Sequence, residues 1–261
     1  MVKKLIIAGN WKLYIERGEE AKKLAAALKR AATKFPGTEL ILLPPAPFIS
    51  GVAAAVKNSP IAVGAQAIAP FTGGAYTGYL SAAIVKDAGA SWALVGHSER
   101  RAQTLNALPG AAEGEEFVEA EVRAASASGL KVMLCVGELE RDPAGAHFAT
   151  IARQLSSALA HFPKTGTKLT IAYEPVWAIG KSATEAMKPA DLEEMVIFIR
   201  RTLTEIFDRA VATKIPILYG GSVDATNAKE LLTTGGVSGF LVGRASTDAK
   251  SFVELLNSCK K

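Results

Sequence analysis

The chain has 261 residues, 49% of them hydrophobic and 21% charged, enough apolar side chains to fill a sizeable core without a disulfide frame. No apolar run approaches the roughly 20 residues of a membrane-spanning helix, which argues against a membrane as partner. The formal charge of +5 is dispersed among acidic neighbours, so it speaks against nucleic acid and suits a small anionic ligand.

At the N-terminus, two lysines precede an apolar stretch that ends at Ala8, shorter than the about 7–15 residues of a signal-peptide core. A cytoplasmic chain is therefore expected. The same stretch, Leu5–Ala8, is the first of eight short apolar runs, each closed by Gly, Pro or a polar residue. The others are Leu40–Leu43, Ile61–Ala65, Ala93–Val95, Val132–Val136, Leu169–Tyr173, Ile217–Tyr219 and Phe240–Val242. Hydrophobicity that is continuous rather than alternating suits strands covered on both faces. Helical spacing fills the gaps: Leu24 and Leu28 after the first run, Phe148, Ile151, Leu155, Leu159 and Phe162 after the fifth, and Leu192, Met195, Ile199, Leu203 and Ile206 after the sixth.

Parallel strands need such crossovers, so eight βα repeats predict an α/β fold, a closed (β/α)8 TIM barrel forming one domain over residues 1–261. A doubly wound dinucleotide-binding sheet would require a G-x-G-x-x-G turn after the first strand, and the sequence has none there. The two cysteines, Cys135 and Cys259, lie far apart and outside any metal-ligand spacing, and both are expected as reduced thiols.

In such a barrel, chemistry collects at the C-terminal ends of the strands. Strand one ends in Gly9, Asn10, Trp11 and Lys12, strand four in Gly96–Arg100, strand six in Glu174–Trp177, strand seven in Tyr219–Ser222 and strand eight in Gly243–Ser246. Together these ends supply a carboxylate, an imidazole, an ammonium and uncrowded backbone N–H groups. They are the parts for moving a proton beside a carbonyl: Glu174 as base, His97 as donor to carbonyl oxygen, Lys12 and Asn10 against growing negative charge. The Gly-rich turns after strands seven and eight suit a phosphate.

Taken singly, each residue has a plainer reading. Lys12 serves as a solvated amine, Glu174 as an ion-paired carboxylate, His97 as a structural hydrogen-bonding residue, Trp177 and Tyr219 as packing, and the glycines as relief of crowding. Gly180-Lys181-Ser182 resembles the end of a P-loop, but Pro175 stands where that motif needs glycine. His147 and His161 have no ligand partners at close spacing, so neither a metal nor another cofactor is expected.

Eight segments nevertheless stand together: A-G-N-W-K at Ala8–Lys12, G-A-Q at Gly64–Gln66, G-A-Y-T-G at Gly74–Gly78, V-G-H-S-E-R-R at Val95–Arg101, L-C-V-G-E at Leu134–Glu138, A-Y-E-P-V-W-A-I-G at Ala172–Gly180, Y-G-G-S-V at Tyr219–Val223 and L-V-G-R-A-S at Leu241–Ser246. In their order and over almost the whole length they resemble the triosephosphate isomerases. The resemblance implies interconversion of dihydroxyacetone phosphate and glyceraldehyde 3-phosphate through an enediolate, a step of glycolysis and gluconeogenesis, without a cofactor. It implies that Glu174 shuttles the proton, that His97 acts as a neutral electrophile, that Lys12 offsets charge and Asn10 orients the substrate, and that Glu99 belongs to the polar network around them. Ile179 and Leu241 would border the substrate, and Gly180, Ser222, Gly243 and Arg244 would offer backbone N–H groups to its phosphate. A lid would swing on Pro175, Val176 and Trp177 at one end and on Lys181, Ser182 and Ala183 at the other. The family is typically a homodimer, and Thr77 marks the tip of the loop that would reach into the partner.

The chain departs from the family pattern at four places. Its lid reads Ala178, Ile179, Gly180 and then Lys181, two residues short at the tip, so a weaker grip on phosphate or altered lid kinetics is expected. Its alternative reading is a barrel that binds a phosphorylated metabolite without turning it over. Arg244 replaces a second glycine, Tyr79 replaces an acidic partner for Arg100, and Ala102–Glu113 reads as an exposed insertion.

Overall fold

The computed structural model describes residues 4–101, 112–181 and 186–260. Eight parallel strands close into a barrel in sequence order: β1 (Leu5–Asn10), β2 (Thr38–Leu43), β3 (Ile61–Ala65), β4 (Trp92–Val95), β5 (Lys131–Val136), β6 (Leu169–Tyr173), β7 (Ile217–Tyr219) and β8 (Gly239–Val242). Closure comes from β8 returning to β1, where Ile7 aligns with Phe240 and Ala8 with Leu241. The eight strands thus lie where the apolar runs put them. β1 runs two residues past Ala8, because Asn10 still aligns with Leu43 of β2, and so the strand itself delivers its last residue to the barrel mouth.

The unbroken apolar runs are explained by two cores. Ile6, Ala8, Ile41, Leu43, Leu94, Met133, Cys135, Ala172, Leu218 and Leu241 point into the barrel. Their neighbours, among them Ile7, Leu40, Leu42, Val95, Val132, Leu134, Ile171 and Phe240, face the surrounding helices. A strand with both faces buried has no position for a solvated side chain, which removes the alternation of a one-sided sheet.

The helices follow the predicted spacing, with one difference. The helix Gly18–Ala32 buries Leu24 and Leu28, and the helix Pro189–Ile206 buries Leu192, Met195, Ile199 and Leu203. The helix after β5 is Ala146–Ala158, so Leu159 is its C-cap and Phe162 lies in the following turn. Both remain buried, and Phe162 meets Phe207 edge-on at 6.4 Å between ring centres. Burial without helix preserves the apolar signal past the end of the element. Among the described residues, no helix is long and apolar enough to cross a membrane.

The segment after H-S-E-R-R corrects one expectation. Residues 102–111 lie outside the described residues, but Glu113, at the end of the supposed exposed insertion, is buried. It pairs with Arg100, and its N–H donates to the Arg100 carbonyl at 2.9 Å. Arg100 thereby has a carboxylate partner within its own chain. A second buried carboxyl, Glu121 of the helix Glu115–Ala127, stands 4.0 Å from the same guanidinium.

Burial, reinforced by the neighbouring Glu113 charge and opposed by Arg100 and Arg101, pushes Glu121 up to about 9. The folded protein therefore holds a proton there that the unfolded chain releases near 4.5. The stability this contributes is complete below that lower value and is lost as the pH rises towards about 9. Glu121→Gln, a permanently neutral isostere, is expected to exceed the parent in stability by about 1–3 kcal/mol at pH 8 and by less at pH 5 in urea denaturation. Parallel pH curves for the two proteins would contradict this.

Candidate active site

The chain turns sharply at the end of β4. Gly96 has φ +68, a conformation side chains resist, and the Arg101 Nε donates to its carbonyl at 2.9 Å. The turn aims His97 across the mouth. Its Nδ1 accepts the Glu99 backbone N–H at 3.2 Å, which leaves the ring proton on Nε2. That Nε2 lies 3.1 Å from Oε1 of Glu174, the residue that follows β6. The other carboxylate oxygen accepts the Ser98 N–H at 3.1 Å. Both side chains are almost fully enclosed, at 7% and 3% exposure, so the contact is shielded from competing water.

At the end of β1, the Asn10 amide oxygen accepts the Lys12 N–H at 3.1 Å. Lys12 adopts φ 47, a strained backbone for a residue with a side chain, and Gln66 fixes that backbone by donating to the Lys12 carbonyl at 3.2 Å and to the Leu43 carbonyl at 2.9 Å. The Lys12 ammonium donates to Glu99 at 2.7 Å. Thus one lysine, one histidine and two glutamates, contributed by three strand ends, form a continuous polar chain.

Gly220 belongs to the same geometry. A Cβ there would stand 2.8 Å from the Glu174 Cγ, so only glycine leaves the carboxylate its place. Beneath Glu174 lies the wholly buried Cys135, whose thiol is pushed well above its ordinary range by burial and by the carboxylate next to it.

The segment after Glu174 is anchored where it leaves β6. Glu138, just past β5, accepts hydrogen bonds from the Tyr173 hydroxyl and the Trp177 indole N–H, both at 2.8 Å. Its carbonyl takes the Val176 N–H at 2.9 Å. Burial raises the Glu138 carboxyl, while those two donors pull it down. Val176–Ala178 form a 3-10 turn, and the Ser222 hydroxyl donates to the Ala178 carbonyl at 2.9 Å. Tyr219, behind them, is pushed up to about 12 by burial.

A cavity of about 790 Å³ unites these parts. Asn10, Lys12, His97, Glu174, Ile179, Gly180, Lys181, Ser222, Leu241, Gly243 and Arg244 all line it. Glu99 lines a smaller adjoining cavity with Asn10, Lys12 and His97. Of the expected lid hinges, Pro175 caps the 3-10 turn that holds Val176 and Trp177, whereas Ser182 and Ala183 lie outside the described residues. Thr77 is elsewhere, in an exposed loop. The sequence reading passed over the anchoring part of Glu138, for which a carboxylate directly after an apolar strand was the available signal. It also passed over the anchoring part of Gln66, a polar residue directly after β3 with the same kind of signal, and over Tyr14, which carries none.

Chemically, the cavity offers a carboxylate, a proton-bearing imidazole nitrogen and an ammonium at one end, and two glycine-rich backbone turns at the other. A model of the family described as triosephosphate isomerase matches residues 5–259. The chain is 38% identical to the triosephosphate isomerase of Chloroflexus aurantiacus, with 97% of this chain and 98% of that protein covered. It is 39% identical to the triosephosphate isomerase of Porphyromonas gingivalis, covering 98% and 100%. A third relative of the same name, from Fusobacterium nucleatum, is 36% identical over 98% and 99%.

Proposed function

This chain belongs to the triosephosphate isomerase family, and on that premise we propose that Glu174 is the base that carries a proton between two carbons of its substrate. Its reaction is that of an intramolecular aldose–ketose isomerase, interconverting dihydroxyacetone phosphate and glyceraldehyde 3-phosphate. The observation that carries the assignment is the enclosed Glu174–His97 contact of 3.1 Å. A carboxylate there sits beside an N–H already pointed into the cavity, so base and electrophile share one small space.

In this reading Glu174 removes the proton next to the substrate carbonyl, and the electron pair moves onto the carbonyl oxygen. His97 Nε2–H and the Lys12 ammonium stabilise the enediolate as its charge grows. Asn10 orients the substrate and Glu99 holds Lys12. The phosphate lies against the N–H groups of Gly180, Ser222, Gly243 and Arg244, with Ile179 and Leu241 along the carbon chain. Pro175–Trp177 and Lys181–Ala183 are the lid hinges, and no cofactor takes part. One catalytic domain over residues 1–261, working in the cytoplasm, completes the proposal. A barrel that only binds a phosphorylated metabolite is disfavoured, because such a site has no use for a buried base paired with an oriented imidazole.

We also assign the protein a homodimeric state. Around Thr77, Phe71 and Tyr76 stack with ring centres 3.5 Å apart, Tyr79 meets Phe71 at 5.2 Å, and Leu80 and Ile84 are exposed close by in the sequence. Exposed apolar side chains in this number suit a partner surface. Sedimentation equilibrium is expected to give twice the 27.4 kDa chain mass, and a single-chain mass at micromolar concentration would contradict a dimer.

Turnover of glyceraldehyde 3-phosphate in a coupled assay tests the chemistry. Glu174→Gln is expected to lower kcat by about 10²–10⁴-fold with KM changed far less. Equal turnover by the two purified proteins would remove Glu174 from the reaction.

A further inference from the structure

The backbone cradle for the phosphate carries no charge of its own, and of the two lysines that line the cavity, Lys12 is held by Glu99 at 2.7 Å beside the carbonyl end and Lys181 lies on the segment after Gly180. The same cavity wall carries Asp224, Asp248 and Glu254, three carboxylates that repel a dianion. Arg244 stands differently. It is the first residue of the 3-10 turn Arg244–Thr247 that follows β8, its side chain is exposed, and it lines the cavity. Among the described residues no carboxylate lies within ion-pair distance of it. Its guanidinium instead rests over the ring of Tyr14, 5.6 Å from the ring centre, and Tyr14 lines the same cavity.

We propose that the Arg244 guanidinium is a phosphate-holding group, stored on Tyr14 and turned onto the substrate's phosphate when the cavity fills. The inference rests on the isomerase reading and deepens it, adding a side-chain charge where that reading uses the Arg244 backbone alone. An exposed cation–π contact is a weak hold, easily exchanged for a charge-assisted bond to an anion. The planar guanidinium fork matches two phosphate oxygens at once, which an ammonium does not. The side chain is rooted at the turn that presents the N–H groups, so a short rotation of its flexible stem brings it to the anion, and a cavity of about 790 Å³ has room for both.

Because a phosphate is held before, during and after proton transfer, this contact is binding energy shared by ground and transition states. Its loss is read in KM rather than kcat. Arg244→Ala is expected to raise KM for glyceraldehyde 3-phosphate about tenfold or more, to raise the Kd for inorganic phosphate measured by calorimetry in parallel, and to flatten the dependence of kcat/KM on salt. Arg244→Lys is expected to recover part of the loss. With unphosphorylated glyceraldehyde as substrate, the drop caused by Arg244→Ala is expected to shrink, which a general distortion of the barrel would not produce.

Unchanged or tighter phosphate binding by Arg244→Ala overturns the inference, whatever the turnover. A parent protein without turnover, but whose phosphate affinity falls on substitution, would count against the isomerase reading and leave Arg244 as an anion-holding group.

Discussion

A carboxylate and an imidazole enclosed by protein keep a fixed geometry when their own remaining polar atoms are engaged, and here that requirement shapes the mouth of the barrel. Glu174 and His97 meet at 3.1 Å from β6 and β4, strands that are not neighbours. The second Glu174 oxygen is taken by the Ser98 N–H and the second His97 nitrogen accepts the Glu99 N–H. Neither ring nor carboxylate can rotate without giving up a bond in a place where water offers little replacement. Barrel closure makes the meeting possible, since only a closed sheet brings the ends of β1, β4, β6, β7 and β8 around one cavity.

The segment that follows Glu174 is anchored where it leaves the barrel. Glu138 gathers the Tyr173 hydroxyl, the Trp177 indole and the Val176 N–H, fixing the chain where it leaves Glu174. At Ala178, the hydrogen bond from the Ser222 hydroxyl joins this segment to the loop after β7, which lines the same cavity. The strained Lys12 backbone belongs to the same economy of position: Gln66 and Asn10 hold it in place, so that its ammonium reaches Glu99 and the cavity.

Much of this was legible in the residues alone. Eight apolar runs without alternation point to strands buried on both faces, and the polar groups immediately after them point to the mouth. What resisted reading depends on contacts between distant segments. Glu113 looked like the end of an exposed insertion because Ala, Pro and Gly surround it, yet Arg100 draws it inward. Glu121 could have been noticed, since it lies three residues after Val118 on the apolar stripe of its helix; its proximity to Glu113 and Arg100 could not. Glu138 was visible as a motif residue but not as an anchor, because its partners come from 35 and 39 positions away. The pairing of Arg244 with Tyr14, from β8 and β1 loops, exists only once the barrel has closed.

The account stands on a proton that leaves carbon, resides on Glu174 and returns. The most direct measurement is to convert glyceraldehyde 3-phosphate in deuterium oxide and examine the dihydroxyacetone phosphate by NMR. Deuterium on the carbon beside the carbonyl is predicted in at least a fraction of the product, because the enclosed carboxylate lines the cavity and exchanges part of its protons before returning them. Product free of deuterium under full turnover would mean that hydrogen passes between the carbons without visiting an exchanging base, and would contradict the account.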